Sequence, residues 1–140
     1  AVIATGAVLA VNLLWLRSCW TALQEATYSA AAAGTLEVGG LPGARALDAG
    51  RAEEATRRLL AENLARLPFV DGDPVDLAHD AEVHVLNPNP GECLPDPLGG
   101  PCHEVPFVSL RVRMPVRLPW GSWPVTLPGR AVAEAGESPQ

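Results

Sequence analysis

Residues 1–16, AVIATGAVLAVNLLWL, carry no charged side chain, and the run that follows to Ala33 continues at helical spacing but turns alanine-rich and amphipathic. The whole stretch reads as one helix from about Val2 to Ala33, about 48 Å long at the usual rise per residue. A chain of 140 residues has room for one domain and an extension. It cannot wrap a rod of that length. The front half is apolar all round, the pattern of a helix buried on every side. Its cover must therefore come from a lipid bilayer or from copies of the same chain. The uncharged run before Arg17 falls slightly short of the ~20 residues of a comfortable span, and Thr5, Asn12 and Ser18 are mild polar interruptions of the segment.

The rear half is different. Leu16, Trp20 and Leu23 form an apolar stripe, with Cys19, Ala26 and Ala30 beside it and Arg17, Gln24 and Glu25 opposite. One helix thus has two environments: the rear packs on a head and the front projects from it. Gly34 is expected to stop it as a C-terminal cap. The expected division is residues 1–23 as the apolar assembly or membrane segment and 24–140 as the head, which includes the rear of the helix. A second helix is expected at about Asp48 to Leu67, with a start as early as Ala44 left open; Asp48 is the candidate cap and Pro68 stops it. Its charges make three i,i+4 pairs, Glu53–Arg57, Glu54–Arg58 and Glu62–Arg66. Strands follow at 81–87, 107–118 and 125–135, the last two antiparallel. In the second strand Val108, Leu110, Val112, Met114, Val116 and Leu118 alternate with Ser109, Arg111, Arg113, Pro115 and Arg117, which marks a half-buried strand. Pro115 predicts an edge position or a bulge. The fold class is α+β: a long projecting N-terminal helix, a second helix, and an antiparallel sheet in a small head.

A formal net charge of −6 argues against nucleic acid as a partner. Cys93 and Cys102 bracket a turn-rich stretch, ECLPDPLGGPCHE, and read as a disulfide formed in an oxidising compartment. Their spacing is not that of a zinc pair. Cys19 reads as a small buried apolar residue, with an intermolecular bridge as the lesser alternative. Asp71, Asp73, Asp76 and Glu82 have a faint calcium-loop spacing. Val75 stands where a ligand belongs, however, and Asp76 where the turn needs glycine, so an acidic turn is expected. His79, His84 and His103 are scattered and read as surface residues. No nucleophile elbow, phosphate loop or Ser/His/Asp pattern is present, so no catalytic residue, metal or cofactor is expected. Arg111, Arg113 and Arg117 share the outward strand face. A solvated, edge-protecting face is favoured there over contact with an anion or a neighbouring subunit's acidic turn. Trp120 and Trp123 in PWGSWP either cover the core or meet a partner, and the sequence leaves both open.

Three features together resemble the TadE/TadG-like proteins of tight-adherence (type IVc) pili, relatives of type IV pilins. These are the uncharged leading helix, its continuation as ALQEATYSAAAAG, and the ending VRMPVRLPWGSWPVTLPGRAVAEAG, similar to the family's proline-bounded final hairpin. The resemblance implies a non-catalytic structural subunit of an extracellular pilus-like filament on the cell surface. It implies as partners the inner membrane before assembly, the pilus assembly machinery, and identical subunits in the fibre. The assembly core on this reading is Val2, Ile3, Gly6, Val8, Leu9, Val11, Leu13, Leu14 and Leu16. Within it Gly6 and Ala10, four apart, offer a close helix approach. Repeating one heterologous interface builds an open helical filament. Read with Ala1 as a processed end, the chain departs from pilins in carrying Thr5 where they typically carry Glu. The alternative is a single-copy, membrane-anchored minor pilin or partner-binding protein of an assembly or secretion system. An enzymatic or metal-binding head would require the histidines and the acidic cluster to converge.

Overall fold

The computed structural model describes residues 2–39, 46–119 and 125–136. Helix α1 runs over Val2–Gly34, α2 over Ala49–Ala65 and α3 over Pro74–Asp80. Strands β1 (Glu82–Leu86), β2 (Phe107–Val116) and β3 (Val125–Glu134) form one antiparallel sheet in the order β1-β2-β3. The fold is α+β, with the helices on one face of the sheet.

The rear of α1 buries Cys19, Leu23, Ala26, Thr27, Ala30, Ala31 and Gly34, residues three and four apart on one stripe. They meet the alternate residues of β2 (Val108, Leu110, Val112, Met114 and Val116) together with Ala131 and Ala133 of β3 and Leu60 and Leu64 of α2. Small side chains on α1 let the partners come close. Trp20, expected on this stripe, is instead 45% exposed. The stripe follows Trp15, Cys19 and Leu23, and Trp20 is rotated away from it by about 100° relative to Cys19.

Gly34 also differs from expectation. It is the last helical residue, and it is not among the glycines with positive φ, so it does not act as a left-handed cap. Its role is close approach. A Cβ there would lie 2.3 Å from Thr56 Oγ1 and 3.1 Å from the Ala52 carbonyl oxygen. Gly129 does the same for the sheet. A Cβ would lie 2.8 Å from Thr27 Oγ1, 2.9 Å from Leu23 Cγ and 3.0 Å from Val112 Cγ1. Beside it, the Arg130 amide donates to Gln24 Oε1 at 2.9 Å, which stitches β3 to α1.

Helix α2 starts as expected, with the Asp48 side chain accepting from the Arg51 amide at 3.2 Å. It runs antiparallel to α1: Ala52 lies by Gly34, and Asn63 Nδ2 donates to the Ala26 carbonyl. Helix α3 replaces the expected acidic turn. Asp73 caps it by accepting from the Val75 amide, and Pro74 fills the first turn, where a missing N–H is harmless. Of the three expected pairs on α2, Glu53–Arg57 is the one that closes among the described residues. Arg57 also donates to the carbonyls of Ala78, His79 and Ala81, so it holds the end of α3.

Pro115 lies in the central strand, contrary to the edge prediction. The register explains this. β1 covers β2 only from Phe107 to Arg111, so Pro115 lies beyond the end of β1. There the Pro115 carbonyl accepts from the Asp71 amide and the Arg117 amide donates to the Phe69 carbonyl, each at 2.9 Å. A donor is not required of Pro115 at this position.

Replacing Gly34 or Gly129 with alanine should destabilise the head by about 2 kcal/mol through overpacking. Gly6, with nothing within 4 Å of a Cβ, should accept alanine without loss. Denaturant unfolding of the chain in detergent, read on the head's near-ultraviolet signal, checks the contrast.

Candidate functional site

The front half of α1 is the largest feature for which the fold supplies no cover. The helix is long and apolar enough to cross a membrane by length and composition, with a mean hydropathy of 1.6 over its most apolar 18 residues, of which 11% are buried. Ile3 is 89% exposed, and Leu13 and Leu14 are each 66% exposed. Val2, Gly6, Leu9 and Val11 are exposed too, while Val8 and Leu16 are half-buried. Leu16 rests against the core of the head. Covering each large aliphatic side chain of this kind is worth about 2 kcal/mol. The expectation that the head is too small to shelter the rod is met.

Contact with the head reaches back well into the apolar run. Asn12 is the first buried residue along α1. One turn on, Trp15 Nε1 donates to the Arg117 carbonyl at 2.8 Å, and its ring meets Phe69 edge to face at 6.0 Å between centroids. Arg17, the first charge of the helix, follows two residues later. No polar spacer separates the part that the head grips from the part it leaves bare.

The other expected residues lie elsewhere on the head. Cys93 and Cys102 are joined in a disulfide, with Cα atoms 5.4 Å apart. Arg111 is paired with Glu82, whose carboxyl is held below its ordinary pKa, first by that hydrogen bond. Arg117 lies 3.4 Å from Asp71, both largely exposed. Arg113 is exposed and makes no ion pair among the described residues. Trp120 and Trp123 lie outside the described residues. The acidic cluster is dispersed: Asp73 is turned to the α3 amide, Asp71 to Arg117 and Glu82 to Arg111. The histidines do not gather either. His103 Nδ1 donates to Glu134 Oε1 at 2.5 Å, and His84 lies 3.8 Å from Glu82.

The disulfide loop contains a polar cluster that the sequence reading did not foresee. Asp96 is buried beneath it, accepting from Ser109 Oγ at 2.7 Å, the Leu98 amide at 2.9 Å and Arg130 Nη2 at 2.9 Å. Arg130 also donates to the Gly99 carbonyl. Burial, the largest single influence, pushes the Asp96 pKa up. The Ser109, Leu98 and Arg130 interactions together outweigh it and hold the carboxyl below its ordinary value. The cluster ties the loop to the outer sheet face, which is why Ser109 is fully buried on a face expected to be solvated. The one signal available beforehand was an aspartate between prolines, the setting of an Asx turn. Asp96 and Ser109 are buried while Arg130 is 39% exposed, so Arg130 closes the cluster from the solvent side.

The chain matches no protein-family model, and no curated protein or solved structure is significantly similar to it.

A depressed carboxyl pKa contributes stability above the unfolded value and loses it as pH falls through the folded one. Asp96→Asn should therefore cost about 2 kcal/mol at neutral pH, the scale of hydrogen bonds to a charged group. The difference from the parent chain should shrink towards zero on acidification past the carboxylate range. Unfolding free energies measured across pH check the sign.

Proposed function

We propose that this chain is a structural subunit of a pilus-like helical filament at the cell surface, held in the inner membrane by the front half of α1 before assembly. The observation that carries the reading is the bare apolar rod continuous with a folded head. In a bilayer such a helix satisfies its own backbone and needs only apolar surroundings. In a fibre, the same surface is covered by identical helices around the axis, with Val2, Ile3, Leu9, Val11, Leu13 and Leu14 as the contact surface and Gly6 and Ala10 allowing close approach. Head and rod repeat one heterologous contact, which propagates without closing. The resemblance to TadE/TadG-like pilins supports the same reading. The disulfide fits an oxidising exterior.

Leu9→Asp and Leu13→Asp each place a charge costing about 3 kcal/mol at the centre of an apolar helix. Both should abolish fibres in negative-stain micrographs while the head keeps its unfolding transition. Normal fibres from either variant would refute the core assignment. Monodisperse detergent particles without repeat symmetry from the parent chain would point to the single-copy anchored form instead.

A further inference from the structure

The contact of Trp15 with Phe69 and Arg117 brings three segments of the head to the level where the apolar run of α1 ends. Within three residues of those contact points the chain carries Arg17, Arg66 and Arg117 against a single carboxylate, Asp71. Asp73, next along, is turned to the α3 amide. This is a local excess of positive charge on a chain of net charge −6. All three arginines are exposed. Among the described residues the one ion pair they make, Arg117 with Asp71, is an exposed pair at 3.4 Å, weak enough to yield to another anion. Trp20, one turn beyond Arg17 at 45% exposure, adds an amphipathic ring at the same end.

The geometry fixes what faces this collar while the rod is in lipid. The head grips α1 at Trp15, one turn after the buried Asn12 and inside the uncharged run, and Arg17 follows directly. A bilayer that covers α1 up to Leu13 and Leu14 therefore has its surface at the collar, with no spacer to hold the head away. Arginine and tryptophan are the residues that favour that depth, one for phosphate and the other for the interfacial region. We infer that Arg17, Arg66 and Arg117 form a docking collar for the phosphate headgroups of an anionic bilayer, which seats the head on the membrane around the emerging helix. The inference rests on the proposal that the front half of α1 is membrane-held. It adds that the head itself touches lipid and senses its charge.

The test uses the full chain in vesicles of phosphatidylcholine alone and of phosphatidylcholine with phosphatidylglycerol. Flotation reports whether the helix is held. Amide hydrogen exchange at 66–72 and 117–118 reports whether the collar is covered. Each arginine near an anionic surface is worth about a fivefold effect. Exchange there should be about tenfold slower in the anionic vesicles and should revert in high salt. The combined variant Arg17→Gln/Arg66→Gln/Arg117→Gln should still float and should lose the lipid dependence. Arg51→Gln/Arg58→Gln, at the start and in the middle of α2, should keep it. Flotation with both vesicles but equal exchange in the two overturns the collar and leaves the membrane-held helix standing. So does protection that appears only in assembled fibres, which would assign the arginines to a neighbouring subunit. Failure to float with either vesicle overturns both.

Discussion

One helix belongs to two environments at once, and the rest of the architecture follows from that. The head can build a core only by using the rear of α1 as its central element. Cys19, Leu23, Ala30 and Ala31 lie at the centre of the buried cluster. The same unbroken helix continues outward with Leu9, Leu13 and Leu14 uncovered. The rod cannot fold back onto the head without giving up the contacts that make the head. Its apolar surface is therefore a permanent demand on the surroundings. The grip at Trp15 sets where that demand begins.

The small residues at the crossings explain how so short a chain encloses a core. Gly34 against Thr56 and Gly129 against Thr27 let α2 and β3 approach α1 closely. Thr27 turns its hydroxyl back to the Leu23 carbonyl at 2.6 Å, so the polar atom at the Gly129 crossing is buried with a partner. The opposite face of the sheet is covered differently. There the disulfide loop is drawn down by Asp96, Ser109 and Arg130 in place of an apolar layer.

What was legible in the sequence was what depends on periodicity and on local chemistry. The two-environment helix, the alternation of β2, the Asp48 cap and the Cys93–Cys102 pairing all express themselves within a few residues of chain. What was not legible depends on partners far away in sequence. Helix α3 spans Pro74–Asp80, too few residues for an apolar period, and its end is held by Arg57 from α2. Trp20 looked like part of the stripe because its spacing to Leu16 is helical. Trp15 was chosen instead because Phe69 and the Arg117 carbonyl lie on its side. Pro115 read as an edge residue because a strand's neighbours end where register dictates, and register is a property of pairs. Gly34 carried the signature of a cap but serves a crossing, and no local pattern tells those two apart.

Strand β3 forms one rim of the sheet, where open hydrogen-bonding groups invite cross-β growth. Pro128 interrupts that row because it has no amide hydrogen to offer. Two residues on, the Arg130 amide is already taken by the Gln24 side chain. With the middle of this ribbon blunted in both ways, lateral strand-to-strand stacking is disfavoured. Amyloid-like growth along β3 is thereby hindered, and the exposed greasy stem, not the sheet rim, is the surface of this chain that calls for cover.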